Sequence, residues 1–221
     1  MEKQIVVFFD VDETIIRGNI NTTVIWHLFL MGLASWILVF RASFWFVLWK
    51  LGLWGSLERI ANKGARELAG ISIEELDRAL DVIFEQRVRH KMYVDALHLI
   101  DEHRMKGHEV ILLSSSFEPF VKKIGAYLSL PHVIATKLRV SGARYTGEID
   151  GMLIGGNKHI IVGDFIAKNK PFETYAYTDH SQDIPMMKLV THPVAVNPDM
   201  RLRRAARKNQ WTVLDFTLVR N

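Results

Sequence analysis

The run Val6-Val7-Phe8-Phe9-Asp10-Val11-Asp12-Glu13-Thr14 constrains this chain more than any other stretch. A fully apolar strand ends abruptly in two carboxylates and a hydroxyl. Side chains two apart on a strand share a side. Asp10, Asp12 and Thr14 can therefore converge at the strand's carboxyl tip, where open α/β sheets bind their ligands. Two acids that close repel each other unless a cation or a shared proton compensates. Taken alone, the pattern also fits a plain strand followed by an acidic turn.

The rest of the chain repeats the theme. Glu109 to Leu113 reads as a buried strand that delivers Ser114-Ser115-Ser116. Thr174 to Thr178 reads as another and delivers Asp179 and Asp183. Further strands are expected at Val133–Leu138, Pro193–Val196 and Thr212–Leu214, with a hairpin around Arg144 to Gly151. Between them lie helical patterns. Ser72-Ile73-Glu74-Glu75 is a capping box opening a helix through about Arg89. Tyr93 to Lys106 ends at Gly107, a normal helix stop. Pro119–Leu128, Lys158–Lys168, Pro185–Val190 and a basic helix near the end complete the set. Strands alternating with helices predict an α/β fold with a parallel, doubly wound sheet.

Composition narrows the function. The chain has no cysteine, which excludes a disulfide framework and a thiolate metal site and suits a cytoplasmic protein. The start does not read as a signal peptide. The net charge of +4 is mild, and Arg201, Arg203, Arg204, Arg207 and Lys208 supply much of it locally. Such a run reads as a solvated helix face, so no nucleic-acid partner is expected.

One segment departs from a plain α/β pattern. Residues 22–54 are dominated by apolar side chains and hold five of the six tryptophans. The longest stretch free of ionisable side chains, Leu28 to Phe40, is 13 residues. As a helix it spans about 20 Å, short of the roughly 30 Å hydrocarbon core. Two short helices that pack together or dip into one leaflet fit better than a single span. The choice between peripheral membrane contact and a buried helical pair stays open on composition, with tryptophan favouring the interface.

Three carboxylates, a hydroxyl beside backbone amides, and Lys158 at a helix start suit a magnesium ion and a phosphoryl group. Magnesium takes hard oxygen ligands, typically one or two carboxylates with water and phosphate. A phosphoryl group takes lysine, hydroxyls and N–H donors at a helix start.

The ordered set Asp10-x-Asp12-x-Thr14, Ser114, Lys158, and Asp179 with Asp183 resembles the haloacid dehalogenase (HAD) superfamily. The stretches Arg144-Tyr145-Thr146-Gly147-Glu148-Ile149 and Asp183-Ile184-Pro185-Met186-Met187, with His192 to Asp199, resemble its phosphoserine-phosphatase-like branch, subfamily IB. The resemblance implies a HAD-like Rossmannoid three-layer core, residues 1–16 plus 94–221, and an inserted all-helical cap, residues 17–93. It implies a Mg2+-dependent phosphomonoester hydrolase. Asp10 would be the nucleophile and Asp12 the general acid and base. Asp10, Asp12 (through its carbonyl) and Asp179 would hold the metal, with Asp183 behind them. Ser114, Ser115, Lys158 and Thr14 would bind phosphate, and Arg17 would meet the substrate. Glu13 stands where glycine or a small residue is common, and Gln182 where asparagine is frequent. Ser115 and Ser116 replace two glycines, which argues against phosphoserine as substrate.

A cap rich in tryptophan, phenylalanine and leucine suits acyl chains or a bilayer surface. The expected substrate is a lipid phosphate, such as phosphatidylglycerol phosphate or lysophosphatidate, at the inner face of the cell membrane. The alternatives are a soluble phosphatase of a small metabolite (phosphoserine- or histidinol-phosphate-like) and a non-catalytic lipid-binding module.

Overall fold

A computed structural model of the protein describes residues 4–33, 57–151, 153 and 157–216. Strand β1 (Ile5–Phe9) lies at the centre of a seven-stranded sheet. Its neighbours are β2 (Glu109–Phe117) on one side and β5 (Glu173–Thr178) on the other, both parallel to it. Outward from β2 come β3 (His132–Ser141) and the antiparallel β4 (Arg144–Gly151). Outward from β5 come β6 (His192–Val196) and β7 (Thr212–Leu214). The chain leaves β1 for one flank and later returns to the other. The carboxyl end of β1 is therefore a topological switch point, where open α/β sheets form their binding crevice.

The all-apolar run at 6–9 has a direct cause. Val7 and Phe9 enter one core layer; Val6 and Phe8 enter the other. A parallel strand covered on both faces cannot alternate with polar residues. Helix α4 (Val94–Met105) and α5 (Glu118–Tyr127) contribute to the first layer. Helix α6 (Lys158–Asn169), the short α7 (Ile184–Met187) and α8 (Met200–Asn209) contribute to the second. The expected alternation of strands and helices is thus the observed one.

Between β1 and α4 the chain forms a helical insert: α1 (Ile20–Leu30), α2 (Leu57–Arg66) and α3 (Ile73–Ile83). Ser72 caps α3 by accepting the Glu75 amide at 3.1 Å, as the capping box predicts. The helix was expected to continue through Arg89; instead α3 gives way to a π-helical turn at Phe84–Val88. Regular α spacing beyond Phe84 would turn Arg87 inward. The extra residue of the π turn brings Val88 into the core beside Phe84.

The insert is tied to the sheet. Gly70 donates to the Tyr145 carbonyl, Tyr145 to that of Ile71, and Ile73 to that of Ala143, at 2.9–3.0 Å. Lys123 on α5 pairs with Asp77 of α3 at 2.8 Å. Of the apolar segment 22–54, residues 22–33 belong to α1 and the turn after it; residues 34–54 lie outside the described residues. Trp26 and Leu30 on α1, and Met31 just after it, are exposed. Among the described residues, no helix is long and apolar enough to cross a membrane.

Candidate active site

Backbone pairing sets the site. Phe9 lies level with Leu112 of β2 and Tyr177 of β5. The next residues along, Asp10, Leu113 and Thr178, therefore end at one height. The Asp10 amide donates to the Tyr177 carbonyl at 2.9 Å, which fixes this register one residue beyond the strand. Beyond it the chain turns tightly, with the Val11 carbonyl accepting from Ile15 and Ile16. Glu13 takes φ +56°, a left-handed conformation that glycine adopts at less cost. Its side chain lies exposed, and its carboxylate accepts from the Tyr93 hydroxyl at 3.4 Å.

Lys158 is the first residue of α6 and is buried. Its ammonium lies 3.0 Å from Asp10 Oδ2 and 2.8 Å from Asp183 Oδ2. Thr178 donates to the same Asp183 oxygen at 2.7 Å. The Val11 amide donates to the other oxygen of Asp10 at 2.8 Å. Asp12 is held separately: its Oδ1 accepts the Ile20 amide at 2.6 Å and its Oδ2 accepts the Ser116 hydroxyl at 2.7 Å. Ser114 Oγ accepts the Ser116 amide at 3.1 Å. Ser115 is half-buried, and its carbonyl accepts from Thr136. The Thr14 hydroxyl is buried without a hydrogen-bond partner among the described residues.

The electrostatics are unbalanced. Asp10, Asp12, Asp179 and Asp183 are four carboxylates, and among the described residues Lys158 is the only cation that pairs with any of them. Burial raises the Asp10 carboxyl despite Lys158. Burial pushes Asp12 up to about 6, against the opposing bonds from Ile20 and Ser116. Burial and then the charge of Asp10 push Asp179 up to about 9. Burial works against the Lys158 ammonium, but Asp10 and Asp183 outweigh it and hold the amine above the ordinary lysine range. Among the described residues, no three acidic or histidine side chains form a ready metal-binding group. The excess negative charge nevertheless fits a divalent cation: a buried set of acids with one counter-ion lacks positive charge.

The structure thus gathers Asp10, Lys158 and Asp183 into one hydrogen-bonded cluster. Asp179 is close enough for its charge to couple to that of Asp10. Asp12, Ser114 and Ser116 form a second linked set. Arg17 stands outside both; it is exposed, and its amide donates to the Lys91 carbonyl at 2.8 Å. Several participants were given no role from the sequence. Thr178 and Ser116 are two. Asn197 bridges the Glu13 carbonyl and the Phe216 amide, and Asp199 accepts from Ser181 while donating its amide to the Asp179 carbonyl. Asp199 carried one visible signal, since it caps α8 ahead of the basic helix. Ser116 and Asn197 lay in stretches that carry the family resemblance, without a role; Thr178 carried no signal beyond its strand.

This arrangement, on this sheet order, is that of a hydrolase family. The haloacid dehalogenase-like hydrolase family matches residues 7–188, and the chain belongs to it. A probable phosphatase of Mycobacterium tuberculosis is 29% identical over 95% of the chain and 75% of its own length. A histidinol-phosphatase of Neisseria meningitidis is 32% identical over 53% of the chain and 56% of its own length. A Bordetella pertussis protein of unknown function superposes with a TM-score of 0.88 at 24% identity, covering 96% of this chain and 99% of that one.

Proposed function

We propose that this chain is a phosphomonoester hydrolase working through an aspartyl-phosphate at Asp10. In the first step a carboxylate oxygen of Asp10 attacks phosphorus. The P–O bond to the alcohol breaks, and the proton on Asp12 passes to the departing oxygen. In the second step Asp12 takes a proton from water, whose oxygen attacks the same phosphorus. Inorganic phosphate leaves and the Asp10 carboxylate is restored. Burial favours a protonated Asp12 at the start of the cycle. Lys158 offsets charge on Asp10 and on the bound phosphate, while Asp183 and Thr178 hold the ammonium in place. Ser114 and the Ser115 amide hold phosphate oxygens, and Thr14 offers its unused hydroxyl. A Mg2+ ion held by Asp10, Asp179 and the Asp12 carbonyl would supply the missing positive charge that screens Asp10 from the phosphate dianion.

The observation that carries this reading is the buried Asp10–Lys158–Asp183 set at the switch point, with Asp12 held beside it. The test is chemical trapping. Rapid acid quench of the enzyme with substrate and Mg2+ should leave a phosphoryl group on Asp10, found by mass spectrometry after proteolysis. Asp10→Asn should lower turnover by about 10³-fold or more, as removal of a covalent nucleophile does. An unimpaired Asp10→Asn enzyme would refute the mechanism.

For the substrate we infer a lipid phosphate, with the helical stretch 17–93 acting as the selective cap over a core of 1–16 and 94–221. Trp26 and Leu30, exposed on α1, and Met31 at its end support this; they continue into the apolar sequence after it. That insert resembles the one in phosphatidylglycerophosphatase C. The reading places the enzyme on an anionic membrane face, with no nucleic-acid partner. Flotation with phosphatidylglycerol vesicles, and phosphate release from phosphatidylglycerol phosphate and lysophosphatidate, test it. A second reading, a small-metabolite phosphatase, is favoured by the similarity to the Neisseria histidinol-phosphatase. Turnover of histidinol phosphate or phosphoserine with no vesicle binding would select it. Phosphate binding without release from any monoester would mark a non-catalytic module instead.

A further inference from the structure

Asp12 is held from two opposite sides, and the two holders are not equivalent. The Ile20 amide, at the start of α1, grips Oδ1 at 2.6 Å. The Ser116 hydroxyl, on β2, grips Oδ2 at 2.7 Å. Ser116 is 1% exposed, and its own amide is fixed by Ser114 Oγ at 3.1 Å. A main-chain N–H can only donate. A serine hydroxyl can donate to an oxygen of a carboxylate or of a carboxylic acid, since both keep lone pairs. The Ile20 amide keeps Oδ1 an acceptor, so the proton of the acid falls on Oδ2; the Ser116 hydroxyl, donating to a lone pair of that oxygen, holds it while leaving the proton free for the alcohol. With alanine or glycine there, Oδ2 has no side-chain partner and the carboxyl is free to turn about its single bond to Ile20.

We propose that Ser116 is a positioning residue: it holds the proton-bearing oxygen of Asp12 in line with the alcohol that leaves phosphorus. This rests on the reading of Asp12 as the general acid, and the test separates the two. Proton delivery matters when the leaving group is an alkoxide. It matters little when the leaving group is a stabilised phenolate. The value of kcat/KM reports steps up to departure of the alcohol, before water enters. A merely structural serine would lower every substrate alike.

The experiment compares octyl phosphate with p-nitrophenyl phosphate for the wild type, Ser116→Ala, Ser116→Gly and Asp12→Asn, each checked for a cooperative thermal transition. For octyl phosphate we expect Ser116→Ala to lower kcat/KM by about 10- to 100-fold, a part of what general acid catalysis contributes. For p-nitrophenyl phosphate the loss should stay within about threefold, since the phenolate needs little general acid help. Ser116→Gly should match Ser116→Ala, because both lack the hydroxyl; a much larger loss in the glycine variant would show a packing role and overturn the proposal. Asp12→Asn should show the same selectivity more strongly. If Asp12→Asn is unselective, Asp12 is not the acid and the parent reading fails. If Asp12→Asn is selective but Ser116→Ala lowers both substrates equally, or neither, the proposal for Ser116 fails alone.

Discussion

Two polar clusters are built on the same sheet, and they are kept in opposite electrostatic states. At the carboxyl tips lie four carboxyl groups and, among the described residues, one ammonium that pairs with two of them. Towards the amino ends, His103 on α4 donates and accepts within a neutral network. Its Nδ1 lies 2.7 Å from His108 Nδ1 and its Nε2 lies 2.8 Å from the Tyr177 hydroxyl. Tyr177 stacks on Phe9 with ring centroids 4.2 Å apart, and Tyr175 stacks on His192 at 4.3 Å. His192 in turn reaches Glu173 at 2.9 Å. The lower cluster has its demands met by the chain. The upper one leaves negative charge unmet, which costs stability and creates a place for a cation and a phosphate.

The largest expected effect comes from removing the one ammonium. Lys158→Met strands Asp10 and Asp183 in a buried space. Breaking one side of a buried ion pair costs about 3–5 kcal/mol, and turnover should fall with it. Urea unfolding in the presence of a chelator measures the first effect and phosphate release the second. A variant as stable as the wild type would show that the carboxylates had shed their charge by protonation, and that the two clusters differ little in charge.

A smaller effect, of opposite sign, follows from Asp179. In the metal-free protein its folded value of about 9 lies far above the ordinary 3.8. Between those values the folded protein holds a proton that the unfolded chain releases. Stability therefore falls as pH rises from about 4 towards 9. Asp179→Asn removes that slope, so the chelated variant should melt higher than the wild type at pH 8, by roughly 1–3 kcal/mol of stability. Mg2+ should stabilise the wild type and leave the variant unmoved. Equal responses to Mg2+ in both would remove Asp179 from the metal set.

How much of this was readable beforehand depends on whether a feature is local. The tip of β1 was readable because Val6 and Phe8 face one layer and Val7 and Phe9 the other, so polarity can begin only where the strand ends. Lys158 was readable as a helix start. Ser116 was given no role, because the strand was expected to end at Leu113 and only to deliver the serines. In the fold β2 runs on to Phe117, with a register shift against β3 between Ser114 and Phe117. The left-handed turn at Glu13 was hidden because its residue is not the one that conformation favours. The His103–Tyr177 contact joins positions 74 apart and depends on how α4 packs across β5, which no short window reports. The helical insert was readable as helical, but its π turn answers to packing at Val88.

The smallest effect tests the neutral cluster by its slope. Burial first, then His108 and Lys106, hold the His103 imidazole down at about 4, against an ordinary 6.5. In that window the unfolded chain binds a proton that the folded one refuses. The contribution of His103 is therefore complete above about pH 6.5 and is lost as pH drops towards 4, against the opposite slope of Asp179 over the same range, so Asp179→Asn is the background in which it shows. The edge of the ring pair at His108 reaches solvent, so the change should be modest, roughly 1–2 kcal/mol. His103→Gln should flatten this acid limb and leave the alkaline limb set by Asp179 in place. The double variant with Asp179→Asn should lose both limbs additively, since the two groups share no direct partner. An acid limb that survives His103→Gln would place the titrating group elsewhere, and the lower cluster would then be as poorly balanced as the upper one.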